Sequence, residues 1–301
     1  MGMSSTLKRR RCRATAAFFP CVTAGCTGVL DPQGPVGAAE KLIILNSLGI
    51  MLAIVVPTIL ATFGVAWWFR SSNTRAHYRP DWEYSGRIEL VVWAIPAMVV
   101  ILLGGISWVG SHDLDPKKPL SPTAKPIEIQ VVSLDWKWLF IYPGQGIASV
   151  NRLVVPAGVP VHFELTSATV MNSFFVPQLG SQIYAMTGMT TQLNLQADKP
   201  GSYFGLSAQF SGDGFSGMHF SYEAVGQSQF EDWLAKAKSQ GPTLDLTGYT
   251  RLAQQSANVA PYTYRDVTQD LFAMILQLTA HTKEMGTFSH AAGPISAEMD
   301  R

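Results

Sequence analysis

Two stretches of this sequence carry no charge for longer than a bilayer is thick. Leu42 to Phe69 is a run of 28 residues bounded by Lys41 and Arg70, and a second apolar run covers Leu90 to Ser111. A helix rising about 1.5 Å per residue crosses a hydrocarbon core of about 30 Å in about 20 residues, so each run can span a membrane. Trp67 and Trp68 close the first run, and Trp93 and Trp108 lie near the ends of the second, as an interfacial aromatic belt does. Pro57 is tolerable inside the first where a neighbouring helix satisfies the freed carbonyl. The competing reading is a helical hairpin buried in a globular core, and two runs of this length weigh against it. Composition agrees: 47% of residues are hydrophobic and 14% charged, below the roughly one quarter usual in soluble proteins. The net charge of +1 gives no global field, so no nucleic-acid partner is expected.

The amino terminus reads as an export signal over residues 1–25. Lys8, Arg9, Arg10, Arg11 and Arg13 form a basic region, followed by an apolar stretch, Ala14 to Ala24, too short to cross a bilayer. Small residues before Cys26 are similar to the lipobox of bacterial lipoproteins, which makes Cys26 a lipidation candidate; an ordinary signal or an uncleaved tail is the alternative. The linker 70–89 carries four arginines against three lysines on the opposite flanks (Lys41, Lys117, Lys118), a weak positive-inside bias. With the export signal, this places the linker in the cytoplasm and everything after His112 in the periplasm of a bacterial inner-membrane protein.

A proline-bearing linker, 112–125, leads to a change of period. Ile127, Ile129 and Val131 alternate with Glu128 and Gln130, and Val161, Phe163 and Leu165 with His162, Glu164 and Thr166. Further short β-rich stretches, punctuated by Gly and Pro, predict a β-sandwich over 126–226. From Gln227 the period lengthens: Phe230, Trp233, Leu234 and Ala237 mark an amphipathic helix. A helical extension is expected over 227–285, with helices around Leu246 to Ala257 and Val267 to Leu278, and a disordered tail over 286–301. The three cysteines, Cys12, Cys21 and Cys26, all precede residue 27, so the sandwich can form neither a disulfide nor a thiolate metal site.

Several local patterns resemble subunit II of the haem-copper terminal oxidases. They are Glu89-x-x-x-Trp93-x-x-Pro96 in the second apolar run, Trp136-x-Trp138 at the domain entrance, Asn172-Ser173-Phe174, and the frame Ser207-x-x-x-Ser211-x-x-x-Phe215-x-x-Met218. The resemblance covers roughly residues 26 to 240. It implies a two-helix transmembrane hairpin carrying an all-β cupredoxin-like Greek-key sandwich, with the helical extension behind it. In copper-bearing members the last two segments carry the ligands of a binuclear copper centre: two thiolates, two imidazoles, a backbone carbonyl and a thioether. Here Ser207 and Ser211 replace the thiolates, and Asn172 and Phe215 replace the imidazoles. Gln209 stands at the carbonyl position, and Met218 alone keeps its identity. Hydroxyl and phenyl groups do not replace thiolate and imidazole for copper, so no metal is expected in this chain. A mononuclear site rebuilt from His162, His219, Met186 and Met189 is the weaker alternative.

Members with the centre erased are similar to quinol oxidases, and the replacements look most like subunit II of a bo-type ubiquinol oxidase. The resemblance then implies a non-catalytic subunit II of a quinol-oxidising, proton-pumping oxidase, with haems and copper in a partner subunit I, and smaller membrane subunits and the bilayer as further partners. It also implies a role for Glu89 at the mouth of a proton pathway, since ionisable groups near the hydrocarbon are costly and mark proton routes; an interfacial carboxylate beside Arg87 is the plain alternative. Trp136 and Trp138, an electron-entry patch in the copper-bearing relatives, are expected to pack against the helices or subunit I. Other readings are a cytochrome c-accepting subunit, disfavoured by the missing thiolates, and a free-standing membrane-anchored binding module. Gly214-Phe215-Ser216-Gly217 lacks the spacing of a nucleophile elbow.

Overall fold

The computed structural model describes residues 28–280, apart from 78, 122 and 123. The export signal, Cys26 and the tail beyond 280 lie outside the described residues. Two long helices come first, α1 (Pro35–Trp68) and α2 (Gly86–Asp113), and both meet the length needed to cross a bilayer. Their surfaces are apolar all round: Leu60, Phe63, Trp93 and Ile101 are 65%, 71%, 76% and 74% exposed. Such surfaces call for lipid or a partner helix as solvent.

α1 starts at Pro35, before the apolar run at Leu42, for a local reason. The Gly37 N–H donates to the Leu179 carbonyl at 3.0 Å and the Gln33 N–H to the Gln178 carbonyl at 2.7 Å. Carbonyls of the β domain thus satisfy donors that a helix start leaves unpaired. Pro35, in the first turn, has no N–H to satisfy.

The β domain is a two-sheet Greek-key sandwich. One sheet orders β12 (Tyr262–Tyr264), β3 (Ile147–Val150), β2 (Lys137–Tyr142), β1 (Ile127–Leu134), β5 (Val161–Ser167) and β8 (Thr191–Leu195). The other orders β4 (Arg152–Pro156), β10 (His219–Val225), β9 (Gly201–Ser207), β6 (Asn172–Phe175) and β7 (Ile183–Ala185). The β1–β5 and β4–β10 pairs are parallel and the other neighbours in these two sheets antiparallel. Between the sheets lies an aromatic core. Phe174 and Phe220 stack with centroids 4.9 Å apart, and Trp138 meets Phe174 edge-on at 5.4 Å. Such pairs each add roughly 0.5–1.5 kcal/mol beyond their buried area.

The carboxy-terminal segment supplies more than helices. α3 (Gln227–Ser239) seals one end of the sandwich, with Phe230 buried and Trp233 against Tyr142 at 5.4 Å. α4 (Leu246–Leu252) and α5 (Leu271–Ala280) cover the outer face of the six-stranded sheet. Tyr249, Leu252, Leu271, Phe272 and Ile275 pack there on Val132, Leu134, Leu139 and Ile141. β12 extends that sheet on β3, and β11 (Thr243–Leu244) pairs with β13 (Asp266–Val267) beside it. β1 and β2 are therefore buried on both faces. That explains why Val132 breaks the alternation begun by Ile127, Ile129 and Val131.

Candidate metal loop

The loop between β9 and β10, entered at Ser207, carries Gln209, Ser211, Phe215 and Met218, and its geometry is built from short-range forces. The Ser207 N–H donates to the Met218 carbonyl at 3.2 Å, closing the neck. Gly212 turns the chain with φ +103°, a region open to glycine and strained for other residues. A single 3₁₀ turn, Phe215–Gly217, returns it to β10. Trp136 lies over the loop as a lid. Its own φ is +63° in the turn between β1 and β2, and its indole N–H donates to the Ser211 carbonyl at 3.0 Å. A Cβ on Gly214 would stand 2.2 Å from the indole ring, so only glycine admits the lid.

The structure brings Asn172, Ser207, Gln209, Ser211 and Met218 together. The Ser207 hydroxyl is 3.0 Å from Asn172 Oδ1 and 3.3 Å from the Gln209 carbonyl oxygen, both acceptors for its one proton. Asn172 Nδ2 donates to the Val170 carbonyl at 3.2 Å. Ser207 and Asn172 are 2% and 1% exposed, so each meets the hydrogen-bonding need of the other where water cannot. The Ser211 hydroxyl lies 3.9 Å from the Met218 sulfur. Phe215 stands apart, its ring against Phe210 with centroids 5.5 Å apart. Two hydroxyls, a carboxamide already bonded, and one thioether do not make a copper ligand set, because nothing here supplies a bridging thiolate or an imidazole. Among the described residues, the buried polar side-chain atoms without a partner are Ser133 Oγ, Trp138 Nε1, Gln145 Oε1 and Tyr222 OH, and none belongs to the loop.

The histidines do not converge. His162 is half-buried on β5 rather than solvated, with Nδ1 3.0 Å from Asn194 Oδ1 and Nε2 4.0 Å from Glu128. His219 sits on the other sheet and stacks on Phe204 at 5.6 Å. Met186 is half-buried and Met189 47% exposed. Among the described residues no group of three or more His, Cys, Asp or Glu side chains is placed to hold a metal.

Trp138 corrects the expectation of packing against the helices or subunit I. Trp138 is fully buried between the sheets, and Trp136 caps the loop of its own domain. Gly214 was the signal for such a lid, because a ring can lie flat only where the chain beneath lacks a Cβ. Asn151, absent from sequence reasoning, also matters: at φ +54° it accepts from the Trp138 N–H at 2.8 Å and donates to the Val259 carbonyl at 2.8 Å. Glu89 lies in the first turn of α2, exposed, its N–H donating to the Ser85 carbonyl at 3.0 Å. A carboxylate there complements the helix dipole, and among the described residues no ion pair joins it to Arg87.

Fold and loop together are those of a cupredoxin-type oxidase subunit II. Residues 127–225 match the family model for cytochrome C oxidase subunit II, periplasmic domain. The cytochrome bo(3) ubiquinol oxidase subunit 2 of Pseudomonas aeruginosa is 48% identical over 258 residues, covering 85% of this chain and 78% of that protein. Ubiquinol oxidase subunit 2 of Acetobacter aceti is 48% identical over 263 residues, 86% of each chain. The solved periplasmic domain of subunit II of cytochrome oxidase from Bradyrhizobium japonicum is 25% identical, covering 40% of this chain and 98% of that one at a TM-score of 0.37. The chain belongs to the ubiquinol oxidase subunit 2 family.

Proposed function

We propose that this chain is the non-catalytic subunit II of a proton-pumping oxidase that passes electrons from ubiquinol to oxygen. Haems and copper reside in the partner subunit I; this chain braces that subunit with its two helices and caps it with the sandwich. The carrying observation is the Ser207–Asn172 hydrogen bond, which occupies the place of an electron relay with groups that have no redox chemistry. The sandwich is periplasmic, the hairpin crosses the inner membrane twice, and the signal ends before a lipidated Cys26.

The test is the reductant preference of the intact complex purified in mild detergent. Fast turnover on ubiquinol and none on reduced cytochrome c is the expected result. A near-infrared band from a mixed-valence dicopper cluster, or sustained turnover on cytochrome c, would sink the proposal.

Glu89 is assigned to proton entry at the cytoplasmic end of α2, where an ionisable group sits at the edge of the hydrocarbon. Glu89→Gln keeps shape and hydrogen bonding and removes the titrating proton. A several-fold drop in turnover and in proton-uptake rate is expected, with normal amounts of assembled complex. Unchanged kinetics would leave Glu89 as an interfacial carboxylate at a helix start.

A further inference from the structure

Between its two helices the chain leaves an apolar groove of about 660 Å³, walled by Leu42 and Ile43 of α1 and Leu102, Gly105 and Val109 of α2. The helices meet near the sandwich, where a Cβ on Gly110 would stand 2.8 Å from Ile43 Cδ1. Deeper along α2, a Cβ on Gly105 would have nothing within 4 Å, so the groove is open there. Its α2 wall runs from Ile101 to Asp113. At about 1.5 Å per residue that is about 18 Å, close to half of a ~30 Å hydrocarbon core.

The mouth of the groove is polar. Asp113 and Leu114 line it and also line a second cavity, of about 190 Å³, with Lys118, Asp115 and Ser181. Lys118 Nζ and Asp113 Oδ1 are 3.9 Å apart, and their side chains remain 59% and 70% exposed. A pair so loose and wet contributes little on its own, so both charges stay open to another partner.

We infer that this groove holds one zwitterionic phospholipid from the leaflet beside the sandwich. An acyl chain lies along Leu42, Leu102 and Gly105, the phosphate meets Lys118, and the headgroup ammonium meets Asp113. The inference rests on the reading that both helices span the bilayer. Charge complementarity selects the occupant: a phosphate and an ammonium within one headgroup match adjacent Lys118 and Asp113. A quinone carbonyl can accept from Lys118 but offers no cation to Asp113, and a partner helix in the groove would leave the charged mouth unmatched.

The test uses the intact complex in mild detergent, with tightly held phosphatidylethanolamine extracted and counted by mass spectrometry. Gly105→Leu fills the groove where the helix has room and replaces glycine by a better helix former. Lys118→Ala removes the phosphate partner. Retained phosphatidylethanolamine is expected to fall about fivefold in the first variant, by filling of the groove, and about threefold in the second, within the range of one exposed charge pair. Unchanged retention in both variants overturns the site. So does loss of co-purifying quinone with phospholipid unaltered, or loss of subunit I from Gly105→Leu while Lys118→Ala stays normal. Carbonate extraction of whole membranes separates the underlying reading: release of the chain into the wash would sink the membrane-spanning hairpin itself, and the lipid site with it.

Discussion

Replacing Gly205 with valine is expected to lower the unfolding temperature of the sandwich by roughly 10 °C. A Cβ at Gly205 would fall 2.2 Å from Cζ and 2.3 Å from Cε2 of Phe220. That ring has no retreat, because it is 2% exposed, stacked on Phe174 and flanked by Trp138 at 5.8 Å. The backbone cannot retreat either, since β9 is held between β10 and β6. Overpacking of this kind costs typically 1–3 kcal/mol and more where neither side yields. We expect the upper end, about 3 kcal/mol, which corresponds to roughly 10 °C in Tm for a domain of this size. Gly144→Ala is the control, because Gly144 is exposed with nothing within 4 Å of an added Cβ. Equal unfolding temperatures for the two variants would show that the aromatic core repacks freely.

Lys137→Met should free one segment of chain without unfolding the rest. Lys137 is 1% exposed, and its Nζ donates to the Gln254 carbonyl at 2.7 Å and the Ser256 hydroxyl at 2.6 Å. These bonds pin the chain between α4 and β12 to the end of β2. Hydrogen bonds from charged donors contribute about 1.5–3 kcal/mol, and losing the donor strands a carbonyl. We expect local opening of residues 254–259 to become easier by about 2 kcal/mol, a gain of about thirtyfold in hydrogen exchange there. Unaltered exchange across that segment would mean the pin is idle.

The same lysine gives a pH dependence with a definite sign. Burial pushes its pKa below the usual 10.5, with Asp135 opposing. Between the lowered folded value and 10.5 the unfolded chain binds more protons, so this group's contribution to stability grows with pH in that window and is lost as pH falls through the folded value. The stability of the wild type relative to Lys137→Met should rise accordingly as pH approaches 10.5.

The hairpin was legible because 28 uncharged residues admit few fates, and the sandwich because its strands change period between short turns. Cysteine placement alone rules a thiolate metal site out of the sandwich. What sequence hid was burial on two faces. Val132, Leu134, Leu139 and Ile141 point away from the aromatic core, and only the positions of α4, α5 and β12 reveal a second core behind the sheet. Tyr262–Tyr264 is too short a strand to announce itself by period, and its pairing with β3 bridges more than a hundred residues. Trp136, at φ +63° in the turn between β1 and β2, leaves no periodic trace. The loop interior was half legible: the residue types at its positions could be read, whereas the Ser207–Asn172 bond could not, because their separation in sequence gives no distance.

The attachment of the sandwich to its helices has a mechanical consequence. At the start of α1, Gln33 and Gly37 are bonded to the backbone at 178–179, and after α2 the Pro116 carbonyl accepts from both the Asn194 N–H and Nδ2, at 2.9 and 3.0 Å. A head on one tether would swing like a pendulum; a head fastened by two, on either side of its base, has its tilt fixed before any other subunit arrives. Assembly then has little orientational freedom left to freeze, and a shove on the head would be felt as torque by the helices below rather than dissipated in a joint.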